Sequence, residues 1–218
     1  MPRRNKMYKK KSEFQKLKTK VNKLDQCLER KYFTKLYNST AISYDVNNAA
    51  PICLPLQGDT ETSRTGEKIA PTFLEGNMFV VANSAATVPC AVRIAIIKSK
   101  QRFIPISNLN TSTSGLWHDG GSTLSPMSQY LWNNRTHFTV VYDKLFTLGC
   151  RVDTDPTGDP STRILQIKKR LTGCMSFQGT STTTEQGQYY VVMTSTLPSG
   201  AGNPPAMSGE FRIHYKDA

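Results

Sequence analysis

The chain has 218 residues, enough for one domain with a real core plus an extension. Its hydrophobic fraction of 38% and charged fraction of 20% are ordinary for a soluble protein, but its net charge of +12 is not. Between Met1 and Lys23 there are ten Lys or Arg and one acid, a net of +9, so the remaining residues carry only +3.

The basic stretch divides in two. Met1 to Lys11 is charge with almost no apolar content and is expected to be disordered alone. Further on, Phe14, Leu17, Val21, Leu24 and Leu28 recur at steps of three and four, the narrow seam of a helix with Lys16, Lys18, Lys20 and Lys23 on its other faces. So short a helix is marginal in water. Its seam is completed by copies of itself, by docking on nucleic acid, or by packing on its own domain. Arg3, Arg4, Lys6, Lys9, Lys10 and Lys11, with the four helix lysines, are the candidate phosphate contacts. Only Tyr8 and Phe14 could stack on bases, so backbone neutralisation is expected rather than sequence readout.

Beyond Tyr32 the period changes from helical to two. Phe73 to Val81 is a strand candidate that Glu75-Gly76-Asn77 interrupts. Val92, Ile94 and Ile96 mark a second strand, with Ile97 indicating partial burial of its other face. Alternation places Phe138, Val140, Tyr142, Phe146, Leu148 and Cys150 on one face of a long strand, with a bulge or bend near Asp143-Lys144. Leu165, Ile167 and Leu171 alternate with Gln166, Lys168 and Arg170, while Tyr189 to Met193 reads as buried on both faces. Phe211, Ile213 and Tyr215 complete a half-buried strand near the C-terminus. Turn clusters fall at Asp153–Pro160, Gln178–Gly187 and Leu197–Pro205, and Pro105–Asn134 is a long loop without period. The pattern is all-β, and for a body of this size an eight-stranded jelly-roll sandwich fits, preceded by a basic, partly helical arm. The expected division is an arm over 1–30 and a body over 31–218.

Catalytic or metal chemistry is not what the residues suggest. His118, His137 and His214 sit in no recognisable pairing, and phosphate-loop, dinucleotide and nucleophile-elbow motifs are absent. Asp153, Asp155 and Asp159 could hold Ca²⁺ through oxygen ligands, but no bidentate Glu follows, so they read first as turn residues. Cys27, Cys53, Cys90, Cys150 and Cys174 are widely spread and odd in number, as expected of reduced, largely buried thiols in a protein made in the cytosol. No apolar run approaches the roughly 20 residues of a membrane span, and the N-terminus lacks a secretory pattern. The sequons at Asn38, Asn110 and Asn134 are therefore expected to be chance matches. Lys168, Lys169 and Arg170 form a second basic patch, either a phosphate contact or the solvated face of a strand.

Several segments together resemble the satellite tobacco necrosis virus-like coat proteins, whose relatives occur in small circular single-stranded DNA viruses that encode a replication initiator (CRESS DNA viruses). Gln57-Gly58-Asp59, Arg64-Thr65-Gly66 and Ile69 are similar to the family's Q-G-D…R-x-G-x-x-I segment. Met127-Ser128-Gln129-Tyr130 and then Phe138 to Leu148 resemble its F-x-V-L-x-D-K-x-F-x-L strand. Arg212, Tyr215 and Asp217 match a closing R-x-x-Y-x-D, and Leu28-Glu29-Arg30-Lys31 an L-E-[RH]-K-like junction after the basic arm. The resemblance implies a single jelly roll assembling sixty copies into the smallest icosahedral shell (T=1). Basic arms would then face the genome and arm helices would cluster at three-fold axes. Roughly 540 arm charges would suit a single-stranded genome on the order of one to a few thousand nucleotides. The nuclear-import-like run favours DNA over RNA and implies an import receptor as a further partner, with no cofactor and no membrane. Two alternatives stay open: a cellular nucleic-acid-binding β module that does not assemble, and a jelly-roll lectin or enzyme with a basic localisation tail.

Overall fold

The computed structural model describes residues 13–27, 30–43, 48–100, 116–117, 126–130, 137–150, 161–182, 184–196 and 204–217. One helix, α1 (Glu13–Cys27), precedes ten strands: β1 (Arg30–Ala41), β2 (Asn48–Pro51), β3 (Lys68–Val81), β4 (Cys90–Ser99), β5 (Phe138–Leu148), β6 (Thr162–Arg170), β7 (Met175–Phe177), β8 (Thr184–Gln186), β9 (Tyr189–Ser195) and β10 (Ala206–Asp217).

The strands form two antiparallel sheets. The first runs β1-β10-β3, with β6 and the short β7-β8 hairpin both paired to β3, and the second runs β2-β9-β4-β5. Setting β7 and β8 aside, the remaining eight pair first with last: β1 with β10, β2 with β9, β3 with β6 and β4 with β5. This is one long hairpin folded at β4–β5 and rolled until alternate strand pairs enter opposite sheets, the topology of a jelly roll. The all-β sandwich expected from the alternation is present, and the β7-β8 hairpin is the addition.

Ile94 and Ile96 of β4, Ile213 and Tyr215 of β10 and Leu165 and Ile167 of β6 meet between the sheets in the main core. A smaller core lies on the outer face of the second sheet, where Leu116 and Trp117 cover Ala95, Ile97, Tyr190 and Val192. Strand β9 is therefore buried on both faces, with odd residues in one core and even residues in the other. Ile97 belongs to the outer cluster, as its apolar character beside Ile96 indicates.

Two sequence expectations are corrected. Strand β3 runs unbroken through Glu75-Gly76-Asn77. Gly76 lies opposite Phe211 of β10, and a Cβ there would stand 2.8 Å from the Phe211 ring. The glycine makes room for an aromatic side chain laid across the strand and does not end it. Gly76→Ala should cost about 1–3 kcal/mol by overpacking, read as a lower urea midpoint with an unchanged slope.

On β5 the bulge falls at Val141 and not at Asp143-Lys144: Tyr142 pairs with Ile96 while Val140 pairs with the next residue, Ile97. The extra residue reverses the alternation. Tyr142, Phe146 and Leu148 join the main core, whereas Phe138 turns outward into the second cluster. Lys144 shares the parity of Tyr142 and Phe146 yet is exposed, a charge at the open side of an edge strand. Charge in that position discourages pairing with a further strand.

Candidate nucleic-acid interface

Arg3, Arg4, Lys6, Lys9, Lys10 and Lys11 lie outside the described residues, as does Leu28. The helix read from the seam is present, and Glu13 in its first turn complements the helix dipole. Lys16, Lys18 and Lys20 are exposed on it, and Lys23 and Leu24 fall within its span. The seam itself is uncovered: Phe14, Leu17 and Val21 are 74%, 60% and 54% exposed. Of the three expected ways to complete it, packing on the chain's own body is not the one adopted at these residues.

Three distant segments tie down the foot of the arm. Lys31, the second residue of β1, is only 1% exposed, and its Nζ lies 2.9 Å from an Asp217 carboxylate oxygen. The same ammonium donates to Thr65 Oγ1 at 2.9 Å. Thr65 in turn donates its hydroxyl (2.6 Å) and its backbone N–H (3.2 Å) to Asp217. Burial raises the Asp217 pKa, but hydrogen bonds from Thr65 and Lys31 and the Lys31 charge outweigh it, holding the carboxyl below its ordinary value.

Next to this pair Arg64 is fully buried. Its guanidinium donates to the carbonyls of Gly66, Gly179 (2.6 Å) and Ser181 (2.8 Å) and lies 4.5 Å from the centre of the Phe177 ring. The turn holding Arg64 is closed by Gly58 N–H to Arg64 O (2.9 Å) and by the Gln57 amide to Thr65 O (3.1 Å). β1 is thereby fastened to the end of β10, to the turn before β3 and to the β7-β8 hairpin.

A second knot fixes the loop over the outer face. Arg93 donates to both oxygens of Asp143 (3.0 and 2.6 Å) and to the Pro126 and Ser128 carbonyls (3.2 and 2.5 Å). It lies 4.8 Å from the Trp117 ring centre and 4.9 Å from that of Tyr130. Tyr130 donates its hydroxyl to the same carboxylate. Arg93 was not singled out from the sequence; as a lone arginine among Val92, Ile94 and Ile96, it was the available sign of an ion pair on that face.

The basic patch on β6 is divided. Lys168 lies opposite Glu75 of β3, while Lys169 and Arg170 border a cleft between the sheets that also holds Lys98 and Lys100. Asp153, Asp155 and Asp159 lie outside the described residues, and no group of three or more metal-ligating side chains occurs among the described ones. His214 is half exposed, 3.6 Å from Glu75 and beside the Tyr32 and Phe73 rings, and His118 is outside the described residues. Cys53, Cys90 and Cys150 are buried free thiols, and burial pushes Cys90 up to about 11. Cys174, expected among the buried ones, is exposed beside the cleft, because it follows the tight turn at Gly173 (φ +81°). Of the sequons, Asn38 lies on β1 and the other two outside the described residues. No described helix is long and apolar enough to cross a membrane.

No family model matches the sequence, and no curated protein matches it. Among solved structures, a chain of the "KBV activated particle at acidic pH" superposes with a TM-score of 0.44 at 7% identity, covering 100% of this chain and 80% of that one. An aminopeptidase from a marine sediment archaeon, Thaumarchaeota archaeon, superposes at 0.32 and 8% identity, covering 87% of this chain and 37% of that one. The fold assignment stands on strand order and pairing: the chain is an all-β jelly-roll sandwich with a basic helical extension at the start of β1.

Proposed function

We propose that this chain is the coat protein of a small virus, assembling sixty copies into a T=1 icosahedral shell and packaging a single-stranded genome, DNA in preference to RNA, through its basic arm. Residues 1–30 are the packaging segment and 31–218 the shell-forming jelly roll. Its role is structural rather than enzymatic. It acts in the virion, and in the infected cell it passes from the cytoplasm to the nucleus through an import receptor that reads Arg3 to Lys11. The apolar seam of α1 is completed by the same helix of neighbouring copies, which links genome binding to assembly.

The observation that carries this reading is where the segments of the coat-protein resemblance meet. The junction before β1, the Gln57–Ile69 segment and the closing Arg212–Asp217 segment are far apart in sequence. Lys31, Thr65 and Asp217 from those three segments share one hydrogen-bonded network at the foot of the arm. A jelly roll that spends a buried lysine on fixing the root of a charged extension is suited to holding that extension in one direction. The exposed Phe14, Leu17 and Val21 give the extension a face for other copies.

Nuclease treatment of the purified assembly, followed by extraction of what it protects, tests the packaging claim. Single-stranded DNA on the order of one to a few thousand nucleotides is the expected yield. Protected RNA would reassign the genome, and an assembly that protects nothing would overturn packaging.

A further inference from the structure

The end of the sandwich from which the arm departs carries a second concentration of positive charge. At that end β1 and β3 begin and β10 and β6 finish, since Arg30 pairs with Lys216, Ile69 with Asp217 and Phe73 with Arg170. In the facing sheet β4 finishes and β5 and β9 begin, with Ser99 opposite Phe138 and Lys98 opposite Tyr189. Between the two sheets lies a cleft of about 660 Å³. Among the described residues, Lys98, Lys100, Lys169 and Arg170 line it and no carboxylate does. None of these four cations takes part in an ion pair among the described residues.

The cleft is prearranged around Lys98. Its Nζ donates to the Thr172 carbonyl at 2.6 Å and lies 5.4 Å from the centre of the Tyr189 ring. Gly173 turns beside it at φ +81°, and a Cβ at that position would stand 2.7 Å from the ammonium. A lysine fixed in this way has already given up much of the side-chain freedom that a flexible surface lysine loses on binding. Burial lowers the Lys98 pKa, so an anion beside it relieves a desolvated charge. The mixture of one fixed ammonium, two exposed lysines and an arginine suits successive phosphate oxygens along a backbone rather than one small anion.

We propose that this cleft is a folded phosphate-binding site for single-stranded nucleic acid, in which Lys98, Lys100, Lys169 and Arg170 take backbone phosphates of the strand gathered by the arm. The proposal rests on the packaging reading, and it commits to nucleic acid over a sulfated polysaccharide because the arm and the cleft share one end of the body. It redraws the basic patch read from the sequence: Lys169 and Arg170 stay, Lys168 leaves, and Lys98 and Lys100 enter.

The test measures binding of full-length chain to a single-stranded oligothymidylate as a function of salt. Each lost phosphate contact should flatten the logarithmic salt slope by about 0.7. The exposed-side variant Lys100→Ala/Lys169→Ala/Arg170→Ala, which leaves the packed Lys98 in place, should flatten it by about two. Lys16→Ala/Lys18→Ala/Lys20→Ala provides the comparison in the arm. If the arm variant flattens the slope and the cleft variant does not, the cleft proposal is overturned and the packaging reading stands. If neither does, the packaging reading itself fails. Alkylation of Cys174 in a Cys27→Ser background gives a local readout: bound oligothymidylate should slow it several-fold. Protection by heparin but not by oligothymidylate would overturn the assignment to nucleic acid.

Discussion

Asp217→Ala should destabilise the folded body by about 3 kcal/mol, measured by urea unfolding, because it leaves the Lys31 ammonium buried without its carboxylate. Lys31→Met is the milder change, at about 1 kcal/mol. It removes the buried charge itself, and Asp217, a quarter exposed, keeps its bonds from Thr65. The double variant should therefore cost less than Asp217→Ala alone, a non-additivity expected of two groups in one network.

The dependence on pH has a definite sign. The folded-state pKa of Asp217 lies below its ordinary 3.8, so its contribution is complete above that value and disappears as the pH falls through the folded pKa. The stability difference between the parent and Asp217→Ala should accordingly narrow in acid below about pH 4. A cost for Asp217→Ala below about 1 kcal/mol would show that this pair does not secure the start of β1.

Removal of residues 1–23 should have the largest effect on nucleic acid and almost none on folding. It takes the net charge from +12 to +3. With the ten arm cations and the four of the cleft engaged, the parent's logarithmic salt slope on single strands should approach about −10, and the truncated chain should retain no more than about −3. Protected nucleic acid should fall at least tenfold at physiological salt. The unfolding free energy measured in urea should stay within about 0.5 kcal/mol of the parent, since Phe14, Leu17 and Val21 are exposed and contribute little to the core. A truncated chain that binds and packages like the parent would remove the arm from the mechanism.

The strands that alternate cleanly were legible in the sequence, and those that bury a charge, seat a glycine under an aromatic ring or carry a bulge were not. Phe211, Ile213 and Tyr215 face the core as their spacing indicates, and β9 is buried on both sides as its unbroken apolar run indicates. β1 escapes such reading because Lys31 is buried while Leu36 is 63% exposed, the reverse of what a hydrophobic pattern assumes. Gly76 looked like a break because its partner, Phe211, is supplied by a strand more than a hundred residues away. The bulge at Val141 reversed the face of Phe138, since a period of two has no tolerance for one extra residue.

The candidate site divides in the same way. The charge of the arm and the seam of α1 are local properties and can be counted. The Lys31–Thr65–Asp217 network and the four-cation cleft are made by tertiary contacts between distant segments, and nothing local in the sequence joins those segments to one another. Lys98 and Lys100 carried no mark in the sequence beyond being two lysines at the end of an apolar strand, and only the closing of the sheets brings them to Lys169 and Arg170.

Electron microscopy of the full chain, expressed alone and purified with whatever nucleic acid it retains, tests the central claim most directly. Uniform spherical shells of sixty subunits are expected, with the jelly roll forming the wall and the arms directed inward. A protein that stays strictly monomeric at high concentration, with single-stranded nucleic acid present, would contradict it.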